Sequence, residues 1–279
     1  MSTRAGRVLR SFLYVPATRP DRFAKAVDSG AHAVIVDLED AVAPADKDRA
    51  RDALQAGAAT LRARCDAAGC RLLVRPNAAA THWHAADIAA CIALPLHGIV
   101  VPKPDDAAML GALHAAAGGE RDLYLLVESL AGFRNIEAIS RAPGVRQMMF
   151  GAADLMLDIG TDVDAEPLHH FRSLIAMHSR LAGLPAPVDG VCLALDDAAQ
   201  MQREIARARA FGFGAKLCVH PRQVLPIHRG FQPSPDELAW ARRVCEAAGG
   251  ADGAAVRVDG RLVDAPLLAW ARRVLAAPD

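Results

Sequence analysis

Eight short apolar runs recur along the chain, and longer Ala-rich amphipathic stretches separate them. The runs are Ser11–Ala17, Ala33–Asp37, Arg71–Pro76, Gly98–Lys103, Asp122–Glu128, Arg146–Phe150, Val188–Ala194 and Ala215–His220. Between them, helices are predicted over stretches such as Arg22–Ser29, Ala45–Ala68 and Asp197–Phe211. Strands alternating with helices predict a parallel sheet. Eight such units favour a closed (β/α)8 TIM barrel, an α/β fold, over an open doubly wound sheet. A dinucleotide-binding sheet would need GxGxxG after its first strand, but Thr18-Arg19-Pro20-Asp21 stands there, and no P-loop is present. A barrel domain is expected over residues 1–232, and a C-terminal helical tail over 233–279. Within the tail, Pro233–Gly249 reads as a helix, Gly250–Gly260 as a flexible Gly-rich link and Pro266–Leu275 as a last helix. Such a tail could reach a neighbouring protomer.

A hydrophobic fraction of 52% supplies a large core, and with only 5% aromatic residues Ala, Leu and Val must fill most of it. The 32 basic and 32 acidic residues cancel, so no basic field argues for nucleic acid or an anionic membrane. No apolar stretch reaches transmembrane length and Met1–Leu9 lacks a signal-peptide core, so a cytoplasmic location is expected. Six cysteines without CxxC spacing exclude a zinc ribbon or thioredoxin-type motif and read as reduced, mostly buried thiols. His82 and His84, like His169 and His170, have no third ligand nearby in sequence and read as surface or packing residues. Lysine occurs only at 25, 47, 103 and 216, and Lys103 and Lys216 fall in or just after apolar runs.

The chemistry gathers where the runs end. Leu123–Val127 leads into Glu128, and Met148–Gly151 into Asp154. Acids ending successive strands of a barrel share its C-terminal rim, where they make a hard-oxygen site suited to Mg²⁺ with room for substrate oxygens. The plainer reading is that each acid caps a helix or pairs with an arginine. The second run ends in Asp37-Leu38-Glu39-Asp40, the third at Arg75 and the fourth at Lys103. Such a rim offers acids for a metal, Arg75 for a substrate carboxylate, and Asp40 or a lysine for proton work. Equally, residues 37–40 could form a polar loop, Arg75 could serve one of its acids, and Lys103 could make a rim ion pair. A metal beside an anion clamp suits 2-keto and 2-hydroxy acids, with charge stabilised as a C–C bond is made or broken.

Several segments occur in a familiar order: Arg10–Pro16, Asp37–Asp40, Val74–Asn77, Val101–Lys103, Val127-Glu128-Ser129 with Gly132 and Asn135, Phe150–Leu155 and Val219–Gln223. Together they resemble the citrate lyase β-subunit-like branch of the HpcH/HpaI aldolase family, from about Arg10 to Leu275. The resemblance implies a Mg²⁺-dependent barrel that cleaves or forms C–C bonds of acyl-CoA thioesters such as citryl-, malyl- or citramalyl-CoA. It implies Glu128 and Asp154 as metal ligands and Arg75 as binder of the substrate acid. The tail segment Gly260–Pro266 resembles a motif whose aspartate, here Asp264, enters the adjacent subunit's site as acid or base. A homo-oligomer, a trimer or hexamer, follows from that. Pro76 and Ala153 depart from the pattern, standing where relatives more often carry an aliphatic residue and a glutamate.

The expected reaction is cleavage of a 3-hydroxyacyl-CoA into acetyl-CoA and a 2-keto acid, or its reverse. Arg10, Arg19, Arg22 and Lys25 near the first strand, with Lys103 at the fourth, are candidate substrate and CoA contacts. Three alternatives stay open at this point. They are a metal-dependent aldolase for free pyruvate-type acids, a Schiff-base aldolase using Lys103 or Lys216, and a β subunit active only within a citrate lyase complex.

Overall fold

The computed structural model describes residues 8–249 and 255–276. The eight runs form parallel strands β1 (Ser11–Pro16), β2 (Ala33–Asp37), β3 (Arg71–Arg75), β4 (Gly98–Pro102), β5 (Asp122–Val127), β6 (Val145–Phe150), β7 (Val188–Asp189) and β8 (Ala215–Cys218). They close into a barrel in chain order, β8 pairing with β1. Helices cover the outer face, so the strands are buried on both sides and read as continuous apolar runs. Alternate positions point inward, and Phe12, Ile35, Leu73, Val100, Tyr124, Leu126, Met149 and Leu217 belong to one buried cluster.

The seventh run was expected to reach Ala194, but β7 has two residues. The chain leaves the sheet at Gly190, where a side chain would sit 3.1 Å from the Phe150 carbonyl oxygen that closes β6. The fully buried Asp189 faces the other way, toward Arg172 of the helix Glu166–Leu181 and Lys216 of β8.

Two compact units divide the chain, one spanning Leu9–His228 and the other including the tail from Arg229. The tail unit holds the helix Pro235–Gly249, strands β9 (Val256–Val258) and β10 (Arg261–Val263), and the helix Ala265–Leu275. Ala241, Val244, Val258, Val263 and Ala271 are its core. The link predicted over Gly250–Gly260 is therefore partly a hairpin. Asp259 and Gly260 turn it with φ of 48° and 79°, the paired left-handed conformation that a two-residue hairpin demands. Positions 250–254 of that link lie outside the described residues. No described helix is long and apolar enough to cross a membrane.

Candidate active site

Asp37 and Arg75 are register partners at the ends of β2 and β3, both continuing the inward set through Ile35 and Leu73. Their side chains therefore meet inside the rim. Arg75 Nε and Nη2 donate to the two Asp37 oxygens at 2.7 Å each, and the guanidinium lies 4.7 Å from the Tyr14 ring centroid. Arg75 Nη1 is 3.1 Å from both Asp40 Oδ2 and Glu39 Oε2. Asp37 also accepts the backbone N–H groups of Glu39 and Ala41 at 3.0 Å, which folds the following loop over the rim. Lys47 supports that loop from behind by donating to Leu38 O, Glu39 O and Asn77 Oδ1 at 2.6–2.8 Å. The two-pronged edge of Arg75 is thus taken by Asp37, and Nη1 faces the loop acids.

Across the rim, Lys103 follows β4 with a left-handed φ of 46°, a conformation uncommon for a side chain of this kind. There its backbone N–H donates to Glu128 Oε1 at 3.2 Å, while its ammonium lies 2.7 Å from Asp154 Oδ1. Glu128 follows β5 and is almost fully buried. Gly151, after β6, makes room for it, because a Cβ there would collide with Glu128 Cβ and Oε2. Asp154 sits in the first turn of the helix Ala152–Ile159. Tyr14, Asp37, Asp40, Arg75, Glu128 and Asp154 line one cavity of about 360 Å³, with Leu126, Phe150 and Leu217 as its apolar wall.

A second cleft of about 610 Å³ adjoins the ends of β1 and β8 and is lined by Arg19, Arg22, Lys25 and Arg222. Tyr14 and Val219 line both spaces. Arg19 is held by Asp21 through two hydrogen bonds of 2.7 and 2.9 Å, and Lys25 is exposed. Arg10 does not join them. It is buried at the start of β1, the opposite end of the strand, where its backbone N–H donates to His32 Nδ1.

Charge is unbalanced here. Asp37, Glu39, Asp40, Glu128 and Asp154 face Arg75 and Lys103, and acids still outnumber cations when Lys47 is counted. Burial pushes Glu39 up to about 7; Arg75 opposes this and Asp40 adds to it. Burial, then Glu39 and Asp154, hold Glu128 well above the usual carboxylate range. Among the described residues no three His, Cys, Asp or Glu side chains form a set able to hold a metal ion unaided. Two hard carboxylates in an acid-rich cavity suit an ion that draws its other ligands from substrate and water, as Mg²⁺ does.

The imbalance has a measurable consequence. In chelator-treated protein, stability is expected to fall between about pH 4.5 and 7 through Glu39. The folded state keeps that proton up to about 7 and the unfolded chain releases it near 4.5. The unfolded state then binds fewer protons across this window and gains as pH rises, by roughly 3 kcal/mol at its upper end. Urea midpoints of wild type and Glu39→Gln at both ends of the window check this, the variant falling less steeply and keeping only the share that Glu128, also held above the carboxylate range, contributes.

Lys216 cannot serve as a Schiff-base lysine. It alternates with the inward Ala215 and Leu217, so it points out to the helices, where it is 1% exposed. Its ammonium lies 2.9 Å from Glu204 Oε2 and 3.3 Å from Asp189 Oδ2. Asp264 belongs to the tail unit and caps its last helix, accepting from Leu267 N at 3.3 Å. Tyr14 and Lys47 went unmarked in the sequence, and Glu39 was noted only as part of its acidic loop. Nothing local separates Glu39 from its acidic neighbours, but alternation from Phe12 would have turned Tyr14 inward.

The HpcH/HpaI aldolase/citrate lyase family profile matches residues 10–221. The chain belongs to this family. It is accordingly an enzyme of an aldolase and lyase family. A citrate lyase subunit beta-like protein of Mycobacterium tuberculosis is 34% identical over 95% of this chain and 93% of its own length. A (3S)-malyl-CoA thioesterase of Cereibacter sphaeroides is 33% identical over 96% of this chain and 93% of its own. The crystal structure of protein CitE from M. tuberculosis, in complex with magnesium, acetoacetate and coenzyme A, superposes with a TM-score of 0.83. It is 33% identical and covers 98% of this chain and 97% of its own.

Proposed function

We propose that this family member is a Mg²⁺-dependent, cytoplasmic carbon–carbon lyase. It cleaves a 3-hydroxyacyl-CoA of the citryl, malyl or citramalyl type into acetyl-CoA and a 2-keto acid, or condenses them. The observation that carries this reading is the buried Glu128 and the partly exposed Asp154 together lining a cavity that shares a wall with a basic cleft. A related barrel holding magnesium, a keto acid and coenzyme A supports it.

Glu128 and Asp154 would hold the ion, which when bound supplies positive charge to the oxygens of the keto acid. Arg75, steadied by Asp37 and the Tyr14 ring, offers Nη1 to the substrate carboxylate. Arg19, Arg22, Lys25 and Arg222 offer cations to the CoA phosphates. Lys103 holds Asp154 and leans on Glu128 through its backbone. In cleavage a base takes the hydroxyl proton and the C–C electrons pass into the thioester carbonyl as an enolate. That enolate carbon is then protonated. Asp40 and Asp264 are the candidate groups for these transfers. Glu39, buried and holding its proton to about 7, is a third candidate suited to acid–base work near neutral pH. Asp264 would act on a neighbouring copy, in a homo-oligomer built as a trimer or hexamer.

Incubation with malyl-, citramalyl- and citryl-CoA, with and without Mg²⁺, tests the reading through release of keto acid and acetyl-CoA. Free CoA together with the intact hydroxy acid would instead mark a thioesterase. Activity on free hydroxy acids alone would mark an aldolase without CoA. Gly151→Ala is expected to lower Mg²⁺ affinity and turnover at least tenfold with the barrel intact, since the new methyl must push Glu128 aside. Calorimetric Mg²⁺ titration and circular dichroism check this.

A further inference from the structure

Tyr14 and Val219 form the wall that the two cavities share, and of the two only Tyr14 carries a polar side-chain group. Tyr14 follows Phe12 on the inward face of β1, and its ring packs on the barrel cluster beneath the Arg75 guanidinium. The ring lines both the acid-lined cavity and the basic cleft. Its hydroxyl is buried and has no hydrogen-bond partner. Leaving a buried hydroxyl unpaired is unfavourable, and phenylalanine would fill the same wall without that penalty. The chain uses phenylalanine freely, with eight Phe against two Tyr. The other tyrosine, Tyr124, also has a buried hydroxyl without a hydrogen-bond partner but lines neither cavity, so only the Tyr14 hydroxyl is placed to meet a ligand in them.

Given the thioester cleavage proposed above, on which this assignment rests, we infer that the Tyr14 hydroxyl donates a hydrogen bond to the thioester carbonyl oxygen of the acyl-CoA. In that reaction the carbonyl stands on the CoA side, next to the carbon whose bond to the keto-acid half breaks. The keto-acid half would occupy the acid-lined cavity and the CoA half the basic cleft, so the carbonyl falls at their common wall. The same oxygen gains the negative charge when the C–C bond breaks, so a donor aimed at it favours the enolate over the ground state. The hydroxyl has a proton to give: burial, together with Asp37, Glu128 and Glu39, holds its pKa above the usual phenol value against the pull of Arg75. Stacking under Arg75 fixes the ring without using the hydroxyl.

Tyr14→Phe isolates this one atom, because the ring and its stack remain. The variant is expected to lose about 10²- to 10³-fold in kcat on whichever of malyl-, citramalyl- or citryl-CoA the wild type cleaves. Its affinity for pyruvate or glyoxylate in the presence of Mg²⁺ should stay unchanged, since neither carries a thioester. A binding readout needs no turnover. Wild type should bind acetyl-CoA about three- to tenfold more tightly than free CoA through this bond, and the variant should bind the two alike. Wild-type kcat in Tyr14→Phe, or an unchanged preference for acetyl-CoA, overturns the assignment and leaves the lyase reading standing. A wild type inert toward all three thioesters overturns both. A variant whose melting temperature drops and whose keto-acid affinity falls with it shows a packing role and also overturns the assignment.

Discussion

Replacing either Glu128 or Asp154 with alanine is expected to abolish measurable Mg²⁺ binding and to lower kcat/KM by at least about 10³-fold, with the fold intact. An ion with only two protein carboxylates keeps too few fixed ligands when one is removed. The charge stabilisation lost with it amounts to several kcal/mol of barrier, which sets the scale of the rate effect. The fold should survive because both residues lie beyond the strand ends and outside the apolar cluster that closes the barrel. Metal-free Glu128→Ala should melt no lower than wild type. It removes a buried acid that Glu39 and Asp154 already repel and loses little packing. Calorimetric Mg²⁺ titration is the deciding measurement, and unchanged binding in both variants would remove this pair from the metal site.

Protomers inactivated in different places are expected to rescue one another. Asp264→Asn and Glu128→Ala should each be nearly inactive alone, and an exchanged mixture should regain a measurable fraction of wild-type turnover. The reasoning is geometric. If Asp264 serves a neighbour's site, mixed assemblies contain some sites with an intact acid pair and an intact visiting aspartate. If Asp264 only caps the helix Ala265–Leu275, a role it plays by accepting from Leu267 N, Asp264→Asn should keep most activity. Asparagine caps helices about as well as aspartate, so the variant separates capping from catalysis. Activity in mixtures exchanged in mild denaturant, with sedimentation to establish the assembly, decides between them. A dead mixture or a fully active monomer would sink the trans arrangement.

The barrel was legible in the sequence because each strand is buried on both faces and announces itself as an apolar run between amphipathic stretches. The same property hid which side chains face inward. Lys216 and Leu217 sit in one run, yet one meets Glu204 among the outer helices and the other lines the cavity. Strand order and register supply that distinction. They also explain why the Arg75 fork finds Asp37, thirty-eight positions earlier, already beside it. Rim acids could be read because a polar residue at the end of an apolar run stands out. Glu39 could not, since its altered proton affinity comes from burial beneath a loop that Lys47 and Asn77 hold from elsewhere in the chain. The tail hairpin was missed for a different reason. Its strands are three residues each, too short to show alternation, and only Asp259-Gly260 marked the turn.

The scarcity of lysine gives the molecule an unplanned reporting property. Lys47 spends its ammonium on two carbonyls and an amide oxygen, and Lys216 is enclosed by two carboxylates. The two remaining side-chain amines stand at different places: Lys25 is exposed at the basic cleft, and Lys103 sits half-exposed beside Asp154 at the edge of the acid-lined cavity. A reagent that acylates amines would therefore mark, besides the amino terminus, chiefly these two positions. Peptide mapping after such labelling would read occupancy of the two cavities separately on the unaltered protein.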